Sequence, residues 1–141
     1  MTINQISIFL ENKFGKLNEI LSILGKENIR VIAATVADTS DYGILRMITS
    51  DQQKAYSLLK EKQVSGNLSE VIAIGIDPSV GKFAETIEYF TKAGIDIEYM
   101  YCFSINHKAI LVLRTKNLET AFEVIRKNEL HYVRESELLD L

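Results

Sequence analysis

The chain has 141 residues, 47% of them hydrophobic and 25% charged, with a net charge of −3 at pH 7. That is the make-up of a soluble globular protein of one ordinary domain or two small ones, and its dispersed Lys and Arg under a negative balance argue against nucleic acid or an anionic membrane as partner. No apolar run approaches the roughly 20 residues of a membrane-spanning helix, and the lone cysteine, Cys102, excludes an intrachain disulfide and makes a cytoplasmic address the expectation.

The N-terminal MTINQISIFLENK lacks a basic start and its apolar stretch is interrupted, so QISIFL is predicted as a strand and not as part of a leader. Residues 12–15 are predicted as a turn. Leu17, Ile20, Leu21 and Leu24 follow at i, i+3, i+4 and i+7, the spacing of one helix face. IRVIAATV, rich in β-branched residues, is predicted as a second strand, DTSDYG as a turn and GILRMIT as a third strand. Asp51 is predicted to open a second helix with Ala55, Leu58 and Leu59 inward, and a last strand falls within residues 63–69.

The same order then repeats. SEVIAIGI is a strand, Phe83, Ile87 and Phe90 form the inner face of a helix, IDIEYMYCF is a strand, SINHK a turn and AILVLRT a strand. Asn117 is a candidate N-cap for a helix with Ala121, Val124 and Ile125 inward, and LHYVR closes the set. The tail SELLDL is left without an assignment. Sliding the sequence by 66 positions places Gly15 on Gly81, Lys16 on Lys82, Glu19 on Glu85, Ile29 on Ile95 and Thr49 on Thr115, with no gap. Internal duplication follows. The expected fold is α+β, two ferredoxin-like βαββαβ repeats over residues 1–68 and 69–141, with antiparallel sheets packed side by side and helices on one face of each. Two units of about 70 residues each have thin cores, supplying about 3–5 kcal/mol. Pairing remedies that thinness and protects sheet edges.

Gly15 and Gly81 each stand where a strand becomes a helix. A bare turn needs glycine for positive φ alone. The N–H groups opening the following helix also suit a carboxylate, and Asn12, Asp77 and Asp96 are acceptors near in sequence for an ammonium group.

The segments ENKFGKL, NIRV and DTSDYGILRMI, with DPSVGKF, AGIDIEYMYCF and AILVLR after them, make the chain resemble the ACT domain, a small-molecule-binding regulatory module, in tandem. The resemblance implies amino-acid effectors held between domains. Its ligand-facing positions are Asn12, Lys13, Phe14, Gly15 and Leu17 in the first turn, and Asp77, Ser79, Val80, Gly81 and Phe83 in the second. Where the family often has Asn at the start of the second strand, this chain has Arg30 and Asp96. Phe14 and Val80 replace the usual Pro before the glycine, which leaves the turn's φ less pre-set.

Catalysis has little support. His107, His131 and Cys102 lack metal-ligand spacing, and no nucleophile elbow, phosphate loop or dinucleotide fingerprint occurs. Acylphosphatases resemble the fold and hold phosphate with a first-turn arginine, which neither turn here contains. Tyr99, Tyr101 and Phe103 share a strand face that could stack RNA bases, but basic neighbours are missing and packing explains them better. The expectation is a non-catalytic binding protein without metal or cofactor, taking a free amino acid. It would form a homodimer and act in trans on a metabolic enzyme or through oligomerisation, the alternatives being a structural dimerisation module without ligand or an acylphosphatase-like enzyme.

Overall fold

The computed structural model describes residues 2–11, 15–38 and 42–140. Seven strands and five helices lie among the described residues: β1 (Ile3–Glu11), α1 (Lys16–Lys26), β2 (Val31–Asp38), β3 (Tyr42–Thr49), α2 (Gln52–Glu61), β4 (Gly66–Ile76), α3 (Lys82–Lys92), β5 (Tyr99–Ile105), β6 (Lys108–Arg114), α4 (Leu118–Lys127), β7 (His131–Tyr132) and α5 (Glu135–Leu139). The helices repeat at the expected displacement, α1 at 16–26 becoming α3 at 82–92 and α2 at 52–61 becoming α4 at 118–127. Two compact units result, Asn4–Ser69 and, with Met1–Ile3, Glu70–Leu141. The division falls inside β4: the strand expected to end the first copy and the one expected to open the second form one element.

In the first unit β2, β3, β1 and the opening residues of β4 lie in that order, with Ile8 opposite Leu45 and Ile6 opposite Met47. Alternation along each strand sends Ile6, Ile8, Leu10, Leu45 and Met47 to one face, where Ile20 and Leu24 of α1 and Ala55 and Leu59 of α2 cover them. Each fully buried side chain of this kind stabilises by about 1.5–3 kcal/mol. The Asp51 carboxylate accepts from Lys54 N at 3.0 Å, capping α2. Gln52 is buried beneath that cap. Its Oε1 accepts from the amide and hydroxyl of Thr49 at 3.0 and 2.7 Å, and its Nε2 donates to Asn4 O and Met47 O. This polar tie between α2, β1 and β3 has no counterpart in the second copy, where the aligned residue is Leu118.

The second unit has the order β5, β6, β4, with β7 on the far side of β4. Ile72, Ile74, Ile76, Leu111 and Leu113 meet Phe90 of α3 and Ala121, Val124 and Ile125 of α4. Three expectations change here. The strand predicted across IDIEYMYCF begins only at Tyr99, because Ile95 belongs to the helix-ending turn, its amide bonded to Phe90 O at 3.0 Å. Asn117 occupies the N-cap position without a side-chain cap bond, its own amide donating instead to Thr115 Oγ1 at 3.2 Å. The closing strand shrinks to two residues, and the unassigned tail becomes α5, whose Leu138 is fully buried.

All four long helices end alike. Asn28, Gln63, Gly94 and Glu129 take positive φ, and the apolar residue after each (Ile29, Val64, Ile95, Leu130) donates its amide to a carbonyl five residues back. That bond satisfies a helix-end acceptor while pinning an apolar side chain under the last turn. Only one of the four is glycine, so composition alone does not announce the motif.

Candidate functional site

The turn opening α3 is the better described of the two glycine turns. Gly81 has φ 89°, a left-handed conformation that glycine adopts without steric penalty, and nothing lies within 4 Å of where its Cβ would be, so backbone conformation and not space demands the glycine. Before it, Asp77 braces the loop: its Oδ1 accepts from Ser79 N at 2.8 Å and from Ser79 Oγ. These two bonds hold the Asp77 carboxyl below the ordinary aspartate value, with Lys82 adding a smaller attraction.

Beyond the glycine, the first amide of α3, on Lys82, donates to Ser79 O at 3.2 Å, and Gly81 O accepts from Glu85 N at 3.0 Å. The next two amides, on Phe83 and Ala84, have no partner among the described residues, and no side chain caps the helix. They are exposed donors at the positive end of the helix macrodipole. Phe83 is 38% exposed and Val80 is fully exposed, so an apolar rim flanks the two donors. This corrects the inward assignment of Phe83. Lys82 is committed to Glu85 at 3.2 Å, and Glu85 accepts from Tyr89 Oη at 3.1 Å.

Gly15 opens α1 with φ 84° and accepts from Glu19 N at 3.0 Å; Lys16 and Glu19 stand 3.9 Å apart, as Lys82 and Glu85 pair in the other copy. Leu17, which lies on the apolar stripe of α1 and among the expected ligand-facing positions, is 37% exposed, matching Phe83. Asn12, Lys13 and Phe14 lie outside the described residues.

Arg30 and Asp96 stand elsewhere. In the first unit β1 reaches the glycine turn at the Tyr42 end of β3, whereas Arg30 precedes β2 at the Thr49 end, its amide donating to Ser50 Oγ at 2.9 Å. Strand rise over β3 puts these ends on the order of 20 Å apart. The second unit repeats this: Ile76 pairs with Ala109 near the turn, while Tyr99 pairs with Arg114 near Asp96. One unit therefore does not bring its glycine turn and its Arg30 or Asp96 to the same ligand. Asp96 instead lines a cavity of about 220 Å³ with Glu98, Thr115, Lys116 and Asn117. Glu98 there pairs with Arg114 at 3.5 Å and Lys116 at 3.7 Å, a cluster that isolated acids and bases in sequence did not announce.

Other chemistry stays weak. Partial burial pushes the Cys102 thiol up, away from thiolate. His107 sits in the β5–β6 turn at φ 64°, and His131 Nε2 lies 3.5 Å from Glu137. Among the described residues no cluster of three metal-ligating side chains occurs, and none of their helices is long and apolar enough to cross a membrane. Tyr99, Tyr101 and Phe103 do share one face, opposite α3 and α4, half-buried beside Val112 and Ile110.

Among curated proteins none matches the chain. A crystal structure of protein BT0572 from Bacteroides thetaiotaomicron is 38% identical with a TM-score of 0.94, covering 100% of this chain and 98% of that one. The ligand-free regulatory subunit of aspartate kinase from Thermus thermophilus shares the fold at 13% identity, with a TM-score of 0.61 over 88% of this chain and 91% of that one. The corresponding Thermus flavus subunit stands at 14% and 0.61 over 88% and 90%. The model of the ACT domain pair matches residues 1–141, and with the duplicated βαββαβ units and paired glycine turns this chain belongs to the ACT domain pair family.

Proposed function

We propose that this ACT domain pair is a non-catalytic regulatory protein that binds a free amino acid at the glycine turn opening α3. The observation carrying the reading is the pair of unpartnered amides on Phe83 and Ala84 behind a left-handed Gly81. They take the α-carboxylate. Asp77 is bound to Ser79 through Oδ1, which leaves its second oxygen to accept from the ammonium group. Phe83 and Val80 supply apolar contact for the side chain. The Gly15 turn is the sister site, with Leu17 for Phe83, so the two differ in preference. Regulation proceeds through a cytoplasmic homodimer acting in trans on a metabolic enzyme. The regulatory subunits of aspartate kinase that share this fold support that use of it.

Thermal unfolding with each common amino acid added singly tests the reading. One amino acid, or a chemically related group, stabilises the protein, by about 2.7 kcal/mol at a hundred times its Kd. The carboxamide of the same amino acid, lacking the anionic group, does not. A flat response across the panel contradicts the proposal and favours a dimerisation module.

A further inference from the structure

A cavity of about 220 Å³ opens in the first unit between β1, α2 and the start of β4, walled by Ile6, Ile8, Tyr56, Leu59 and Val64, with Lys60 its one charged lining residue. The internal repeat shows how this cavity arises. Carried to the second copy, these positions become Ile72, Ile74, Phe122, Ile125 and Leu130, and Lys60 becomes Arg126. The second copy places Tyr132 beside them, opposite Ile74 and packed on the core. The aligned residue in the first copy is Gly66. No side chain can replace it there, because a carbon at Gly66 would fall 2.5 Å from the backbone oxygen of Ser7. The first unit therefore has the walls of an aromatic-ring site without the ring.

We propose that this cavity binds a single-ring aromatic carboxylate, the ring taking the place that Tyr132 fills in the second unit and the anionic group meeting Lys60. An apolar cavity of about 150 Å³ is known to accept benzene, so the space suffices for one ring. Its walls combine the apolar side chains of Ile6, Ile8, Leu59 and Val64 with polar groups of Tyr56, Lys60 and Ser65, and the Lys60 cation orients the ligand. This site is separate from the glycine turn of α3 and does not depend on it.

The test uses the full chain and methyl NMR spectra with 4-hydroxyphenylacetate and p-cresol as probes. The expected result is shifts concentrated on the methyls of Ile6, Ile8, Leu59 and Val64, with the carboxylate binding several-fold more tightly than the cresol. Lys60→Gln removes that preference. Filling the space with Val64→Phe weakens both probes by about tenfold or more, and Tyr56→Trp serves the same purpose should the first variant fold poorly. Methyls unmoved by about 10 mM probe, a range where binding is already weak, overturn the proposal, as do equal affinities for the two probes or undiminished binding in a folded cavity-filled variant.

Discussion

At the scale of single residues, the loop before α3 rests on Asp77. Its folded midpoint is lowered, first by the Ser79 hydroxyl and then by the Ser79 amide. A lowered carboxyl stabilises the folded form above the unfolded value of about 3.9, and that contribution is lost as pH falls through the lowered midpoint. An NMR titration of Asp77 should therefore show a midpoint below the ordinary one, and Ser79→Ala should raise it toward that value; no change on substitution contradicts the bracing role. The left-handed glycines were legible because their chemistry is local, whereas the bond from Ser79 to Asp77 was not. Phe83 stands exposed where an inner-face position is expected, for a physical reason: a periodic stripe fixes the direction of a side chain around the helix but not whether a sheet lies beneath that turn. In both helices the first apolar residue stands exposed, and buried residues begin at Ile20 in α1 and at Thr86 in α3.

At the scale of elements, helix positions were the most readable part of the chain, since four amphipathic segments repeat at one displacement. Their endings were not, because Asn28, Gln63 and Glu129 adopt left-handed φ without being glycine. There the pinned apolar residue that follows offsets the backbone cost, and tertiary contact decides. α5 carries no sequence signal because five residues show no periodicity. Its place is clear in the fold: Glu137 accepts from the Arg134 amide at 3.3 Å and lies near His131, while Leu138 is fully buried. Glu137 lines a small cavity with Gly75, Ile110, His131 and Val133, and strand alternation sets Gly75, Ile110 and His131 on the sheet face opposite α3 and α4. Leu138→Ala should lower stability by about 2–3 kcal/mol in denaturant unfolding. A loss under about 0.5 kcal/mol, the range of neutral surface changes, would show that α5 contributes little.

At the scale of the molecule, duplication explains both what the sequence made plain and what it hid. Matching turns, caps and ion pairs (Lys16 with Glu19, Lys82 with Glu85) reveal the common plan. The copies then part at single positions: Arg30 against Asp96, Leu17 against Phe83, Gly66 against Tyr132. Those differences were readable as letters. The distance between each glycine turn and its Arg30 or Asp96 was not, because it follows from strand direction. The central claim is that amides left open by Gly81 receive a carboxylate. Backbone amide NMR spectra, recorded while the stabilising amino acid is titrated in, test it most directly. The account predicts that Phe83 and Ala84 show the largest downfield shifts, and that Gly81→Ala, which forces an L side chain into a left-handed turn at about 1–2 kcal/mol, weakens binding. Large shifts gathered elsewhere, with Phe83 and Ala84 unmoved at saturation, would contradict it.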